Sequence, residues 1–213
     1  MHDAQIDALI VRHLGDLDMA ASYLANELEP RVASAMNSMA EKWAKKRRWR
    51  GQYSWSVGED DYLWLAPQSW AVPDSDNDVY LSFCLWGEER DDFTGKKGHD
   101  YFWLTRLLRA GQGKLGFLVE CETQYFGGKA QWKKFVRTYV EKLRAEGFVF
   151  MEGSGGFFRP LVVDAETMAK AIEANAIEDA LGPFVNALDD LKAAQPAFDE
   201  LLQDALQTIG GAR

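Results

Sequence analysis

Glu120 and Glu122 stand two residues apart near the end of an apolar run from Leu115 to Glu122, and in a regular strand both carboxylates project from one face. Carboxylates paired in this way can hold Mg²⁺ or share a proton. A second grouping is cationic. Lys45, Lys46, Arg47, Arg48 and Arg50 follow Lys42, with Trp43 and Trp49 interleaved. Cations can hold phosphates there while the rings stack on bases. The same run also suits the negative end of a helix dipole, or pairing with an acidic segment.

Joined by an acidic residue of the preceding strand, the Glu120 and Glu122 pair resembles the carboxylate set of metal-dependent nuclease cores. The lysine such cores carry two residues after a strand carboxylate is absent: Glu122 follows Glu120 and Gln124 follows Glu122. Lys129 or Lys133 from the next helix would have to replace it. Asp74-Ser75-Asp76-Asn77-Asp78 opens like a calcium loop, but its sixth position is Val79 and its twelfth Leu85, where an EF-hand needs Gly and Glu. Glu88, Glu89, Asp91 and Asp92 read as loop surface. His2, His13 and His99 are far apart and lack a Ser or Cys nucleophile beside them, so no triad is indicated. Gly153-Ser154-Gly155-Gly156 lacks the Lys-Ser/Thr ending of a phosphate loop and reads as a hairpin turn. Cys84 and Cys121 sit in apolar runs and are expected as buried free thiols; no cofactor and no metal are expected.

Seven of the eight tryptophans lie between Trp43 and Trp103. Most should pack a core, but Trp and Tyr also favour recognition surfaces, and Trp55, Trp64, Trp86 and Trp103 are the candidates for lining a ligand groove.

The elements that would position these groups follow from periodicity. Residues 1–50 read as N-terminal helices: Ile6, Leu9, Ile10 and His13 share a face, a break falls at Gly15, and a second helix capped by Asp16 or Asp18 runs to Trp49, kinked or divided at Pro30. Residues 51–163 read as an aromatic-rich α+β core. Tyr53, Trp55 and Val57 alternate with polar residues, a turn follows at Gly58-Glu59-Asp60-Asp61, and further strands are expected over Tyr62 to Ala66, Val79 to Trp86 and Leu115 to Glu122. Tyr101 to Arg109 reads as helical, and Lys129 to Ala145 as an amphipathic helix stopped by Gly147. A last hairpin pairs Phe148 to Met151 with Phe157 to Val163. Residues 164–213 read as an acidic helical appendage with breaks near Gly182-Pro183 and Pro196. Between Leu161 and Arg213 there are ten acidic residues against three basic ones, a net charge of −7. The sum is an α+β fold: a mainly antiparallel sheet of about five or six strands, flanked by an N-terminal helical pair and the acidic C-terminal helices.

With 213 residues, 47% hydrophobic and 13% aromatic, the chain has the composition of a folded protein. Its formal charge of −9 opposes general affinity for nucleic acid or anionic membrane. No membrane span and no signal peptide are visible, so a cytoplasmic location is expected. The leading expectation is a non-enzymatic interaction or ligand-recognition protein that uses an aromatic groove, with a protein partner or self-association through the C-terminal helices. The alternatives are a metal-dependent, nuclease-like hydrolase using Glu120 and Glu122, and a nucleic-acid-binding protein using the Lys42 to Arg50 helix end.

Overall fold

A computed structural model describes residues 4–56, 62–75, 77–88, 102–109 and 113–210. The expected turn at 58–61, Asp76, the acidic residues 89, 91 and 92, His2 and His99 lie outside these, as does the side chain of Glu88.

The N-terminal helical run comprises α1 (Ala4–Arg12), α2 (Leu14–Tyr23), a wider π turn over Leu24–Leu28, and α3 (Glu29–Arg47). The first break falls at His13 instead of Gly15, and neither Asp16 nor Asp18 caps α2. Pro30 occupies the first turn of α3, where its missing N–H costs nothing, so the irregularity falls in the turn before it. Val32, Met36, Ala40 and Trp43 recur at helical spacing and are buried. At Arg48 the backbone turns left-handed, φ 57°, which ends α3 and releases the chain into β1 (Trp49–Tyr53). The first strand therefore starts earlier than its alternation suggests, and Trp55 lies beyond it in a turn.

β2 (Leu63–Pro67), β3 (Leu81–Glu88), β4 (Lys114–Cys121), β5 (Val149–Met151) and β6 (Gly156–Leu161) complete a six-stranded sheet of order β1-β2-β3-β4-β6-β5, antiparallel throughout. α4 (Trp103–Leu107) precedes β4. Between β4 and β5 lie α5 (Lys129–Val136) and α6 (Val140–Ala145), with Gly147 at φ 85° ending them as expected. After the sheet come α7 (Ala165–Glu173), α8 (Ile177–Ala180) and α9 (Gly182–Thr208). Asp164 caps α7 by accepting the Thr167 N–H at 2.8 Å, which holds its carboxyl below the ordinary carboxylate range.

One face of the sheet presents Leu63 and Leu65, Leu81, Phe83 and Leu85, Leu115, Phe117 and Val119, and Phe157 and Leu161 to a single core shared with α3 and α9. α9 runs through Pro196 unbroken and buries Phe184, Leu188, Leu191, Phe198 and Leu202 at helical spacing. Phe198 lies among the rings of Trp70, Phe83, Phe148 and Phe157.

The acidic residues of α9 meet donors of the same chain. Asp189 takes the Trp43 indole N–H at 2.8 Å and the Arg47 guanidinium at 2.7 Å. Asp190 pairs with Arg159 at 2.6 Å, Glu200 with Lys142, and Asp204 accepts from the Tyr139 hydroxyl. The charge asymmetry of the sequence is thus answered within the fold by the basic end of α3, α6 and β6. Asp199 accepts the indole N–H of fully buried Trp70 at 2.6 Å. Removing it strands a buried donor, so Asp199→Ala is expected to cost about 1–3 kcal/mol and Asp199→Asn, which keeps an acceptor, less. Urea unfolding of the two variants checks this ranking.

Candidate functional site

The core takes alternate strand residues, and the others turn to the opposite face. The pairing register sets Gln52, Trp64, Cys84, Leu118, Phe158 and Val149 in one row across all six strands. In the next row Ser82 stands opposite Glu120, and on the other side Trp86 stands opposite Gly116. Gly116 is required there: a Cβ would sit 2.7 Å from the Phe158 ring and 2.2 Å from the Arg159 carbonyl oxygen. Without one, Phe158 lies flat enough over β4 for Trp86 to meet it edge to face at 5.6 Å.

Three adjoining recesses open on this face, of about 330, 260 and 590 Å³, and Glu120 lines all three. The first also holds Tyr62, Trp64, Tyr80, Asp78 and Glu122; the second adds Leu118, Lys129, Trp132 and Thr123; the third adds Trp86 and Met151. Together they form a groove with aromatic walls and a carboxylate at its centre. Tyr125 steadies one wall, donating to Asp78 at 3.1 Å and meeting Tyr80 edge to face at 5.3 Å.

Glu120 accepts from the Cys84 thiol at 3.3 Å, and Cys84 in turn lies 3.3 Å from the Ser82 hydroxyl. Burial first, then the Glu120 charge, pushes the Cys84 thiol far above its ordinary range, so it stays protonated and donates. Burial and Glu122 do the same to Cys121. Neither thiol is bonded to the other, and neither is a nucleophile at neutral pH. The Tyr62 phenol is raised as well, chiefly by the Glu120 charge. Its phenolate is the disfavoured form, so Glu120→Gln is expected to move the Tyr62 titration back toward the ordinary phenol range. Ultraviolet titration of Glu120→Gln against the parent protein, with Tyr62→Phe to assign the signal, reads this directly.

β4 ends at Cys121, so the regular strand that would align the two glutamates stops one residue short of Glu122, whose backbone (φ −74°, ψ 79°) opens a 3₁₀ turn over Thr123–Phe126. Both nevertheless line the first two recesses. Gln124 approaches Glu122 at 3.5 Å, and among the described residues no ion pair reaches either carboxylate. Nor do any three His, Cys, Asp or Glu side chains of the described residues converge as a metal site would require. Lys129 lines the groove, while Lys133 is engaged with the Gly153 carbonyl in the β5–β6 turn.

Of the four candidate tryptophans, Trp64 and Trp86 face the groove. Trp55 and Trp103 do not: they pack edge to face at 6.0 Å beside α3, where Asn37 brackets the Trp55 backbone and Ser56 accepts the Trp103 indole N–H. In the basic run, Arg47 is held by Asp189 and covers the Trp43 ring at 4.3 Å, and Lys45 pairs with Glu41 at 2.7 Å. Arg48 caps α3, Lys46 is exposed, and Arg50 is half-buried on β1. Trp43 and Trp49 are buried against each other at 5.0 Å, so neither ring is open for a base to stack on. Sequence reasoning did not select Tyr62, Tyr80, Cys84 or Leu118 for the groove. Cross-strand register sets Cys84 beside Leu118, and Tyr62 and Tyr80 reach the groove from just before β2 and β3; no local pattern carries that.

No family model, curated protein or solved structure matches this chain. Among the described residues, no helix is long and apolar enough to cross a membrane.

Proposed function

We propose that this is a non-enzymatic recognition protein whose open sheet face binds an elongated, positively charged ligand, with a Lys- or Arg-containing peptide segment as the fitting class. The observation that carries the reading is the convergence of three recesses on Glu120, between the aromatic side chains of Tyr62, Trp64 and Trp86. A guanidinium or ammonium is attracted both by a carboxylate and by the face of an indole or phenol ring, and the two effects reinforce each other where water is partly excluded. Asp78 and Glu122 at the same end add to the negative potential. The three connected recesses suit a chain better than a single compact molecule.

Titration with tetra-arginine, followed by tryptophan fluorescence, tests this. Saturable binding that weakens with added salt is expected. Loss of a charge-assisted hydrogen bond, worth about 1.5–3 kcal/mol, predicts a drop in affinity of about tenfold or more in Glu120→Gln. Equal binding of tetra-aspartate, or an unchanged affinity in Glu120→Gln, would refute the proposal.

A further inference from the structure

The chemistry of the groove changes along its length. The 330 Å³ recess gathers three carboxylates, Asp78, Glu120 and Glu122. The 590 Å³ recess shares Glu120 with it, but its other acid, Glu152, is paired with Arg137 at 2.8 Å, and Lys129 lines the same space. A second cation there would gain little and would meet Lys129 as a like charge. Apolar surface is what this recess leaves uncovered. Val149 is 52% exposed, and Met151, two residues on along the same face of β5, is half-buried like Trp86. Leu118, 5% exposed, lies between them.

Spacing ties the two ends together. Leu118 and Glu120 are two residues apart on β4 and share its open face. Alternate residues of a strand repeat at about 6.8 Å, and so do alternate side chains of an extended ligand. Given that this face recognises a cationic peptide, on which the inference rests, we propose that the ligand carries a bulky apolar side chain two residues from its Arg or Lys. The cation sits on Glu120, and the apolar group fills the recess between Trp86, Val149 and Met151. The groove thus selects a pair of unlike side chains at a fixed interval, and a run of cations uses only its acidic end.

Three acetylated and amidated peptides test this by titration of the Trp64 and Trp86 indole N–H signals: Gly-Arg-Gly-Leu-Gly, Gly-Arg-Leu-Gly-Gly and Gly-Arg-Gly-Gly-Gly. The first should bind about tenfold more tightly than the third, the effect of covering much of a leucine side chain. In the second, leucine follows arginine directly and projects from the other side of an extended chain, so its affinity should match the third. Gly-Arg-Gly-Arg-Gly should bind less tightly than the first. Val149→Ser with Met151→Ser should cut the preference for leucine to less than about threefold. Equal binding of the first and third peptides, equal binding of the first and second, or a preference that survives the double substitution would overturn the proposal. So would tighter binding of Gly-Arg-Gly-Arg-Gly. If tetra-arginine binds while leucine adds nothing, the apolar pairing alone falls; if tetra-arginine does not bind, the recognition role of the face falls with it.

Discussion

Phe198→Ala is expected to lower the unfolding free energy by about 3–5 kcal/mol, a large share of the total stability of a single domain. Phe198 is fully buried near the middle of α9, and four rings surround it: Phe148 at 5.0 Å, Phe83 at 5.4 Å, and Trp70 and Phe157 at 6.2 Å. These rings come from β3, β6, the turn after β2 and the turn before β5, and they cannot close together over the vacancy without pulling strands out of register. Both the transfer term and the cavity term therefore apply. Urea unfolding at an unchanged slope gives the value. Leu206→Ala, on the exposed side of the same helix, should cost less than about 0.5 kcal/mol. A Phe198→Ala loss below about 1 kcal/mol would mean that α9 is a peripheral appendage and not half of the core.

Glu120→Lys is expected to abolish tetra-arginine binding, with an affinity loss of at least about 100-fold. The substitution removes the central carboxylate and sets a like charge in its place, so the lost hydrogen bond and the new repulsion add. Trp64→Ala and Trp86→Ala should each weaken binding several-fold, in line with the roughly 0.5–2 kcal/mol of a cation over an aromatic face. Fold stability should change little with Glu120→Lys, because Glu120 is only half-buried and, among the described residues, its side chain is held by a single weak hydrogen bond from the Cys84 thiol. Retained binding in Glu120→Lys would move the site off this face.

Period was the legible part of the sequence. Alternation over Val79 to Trp86 and Leu115 to Glu122, the 3.6-residue recurrence from Val32 to Trp43, and the glycines at 147 and 153–156 each correspond to an element of the fold. Breaks were less legible. Pro196 reads as a helix stop, yet α9 continues through it, since the buried Leu191, Ala194, Phe198 and Leu202 hold the helix on the sheet across the missing hydrogen bond. The tail's acidity reads equally as a surface for another chain or for the basic run of its own, and only the fold shows Asp189, Asp190, Asp199 and Glu200 meeting Arg47, Arg159, Trp70 and Lys142, more than thirty residues away in the sequence. Half of the candidate groove was visible. Glu120, Glu122, Trp64 and Trp86 were selected by type and strand position, whereas β1 ends at Tyr53 and leaves Trp55 in the turn beyond it, where Trp103 of α4 packs on it away from the groove. Register, which decides which strand residues share a face across the sheet, is set by long-range pairing and leaves no mark in a local window.

The most direct measurement is an NMR titration of the indole N–H signals with tetra-arginine, assigned by single tryptophan substitutions. Recognition on the open sheet face predicts progressive shifts of Trp64 and Trp86, absent in Glu120→Lys, with the buried Trp43, Trp49 and Trp70 unmoved. Shifts confined to Trp55 and Trp103, or none at any indole, would contradict it.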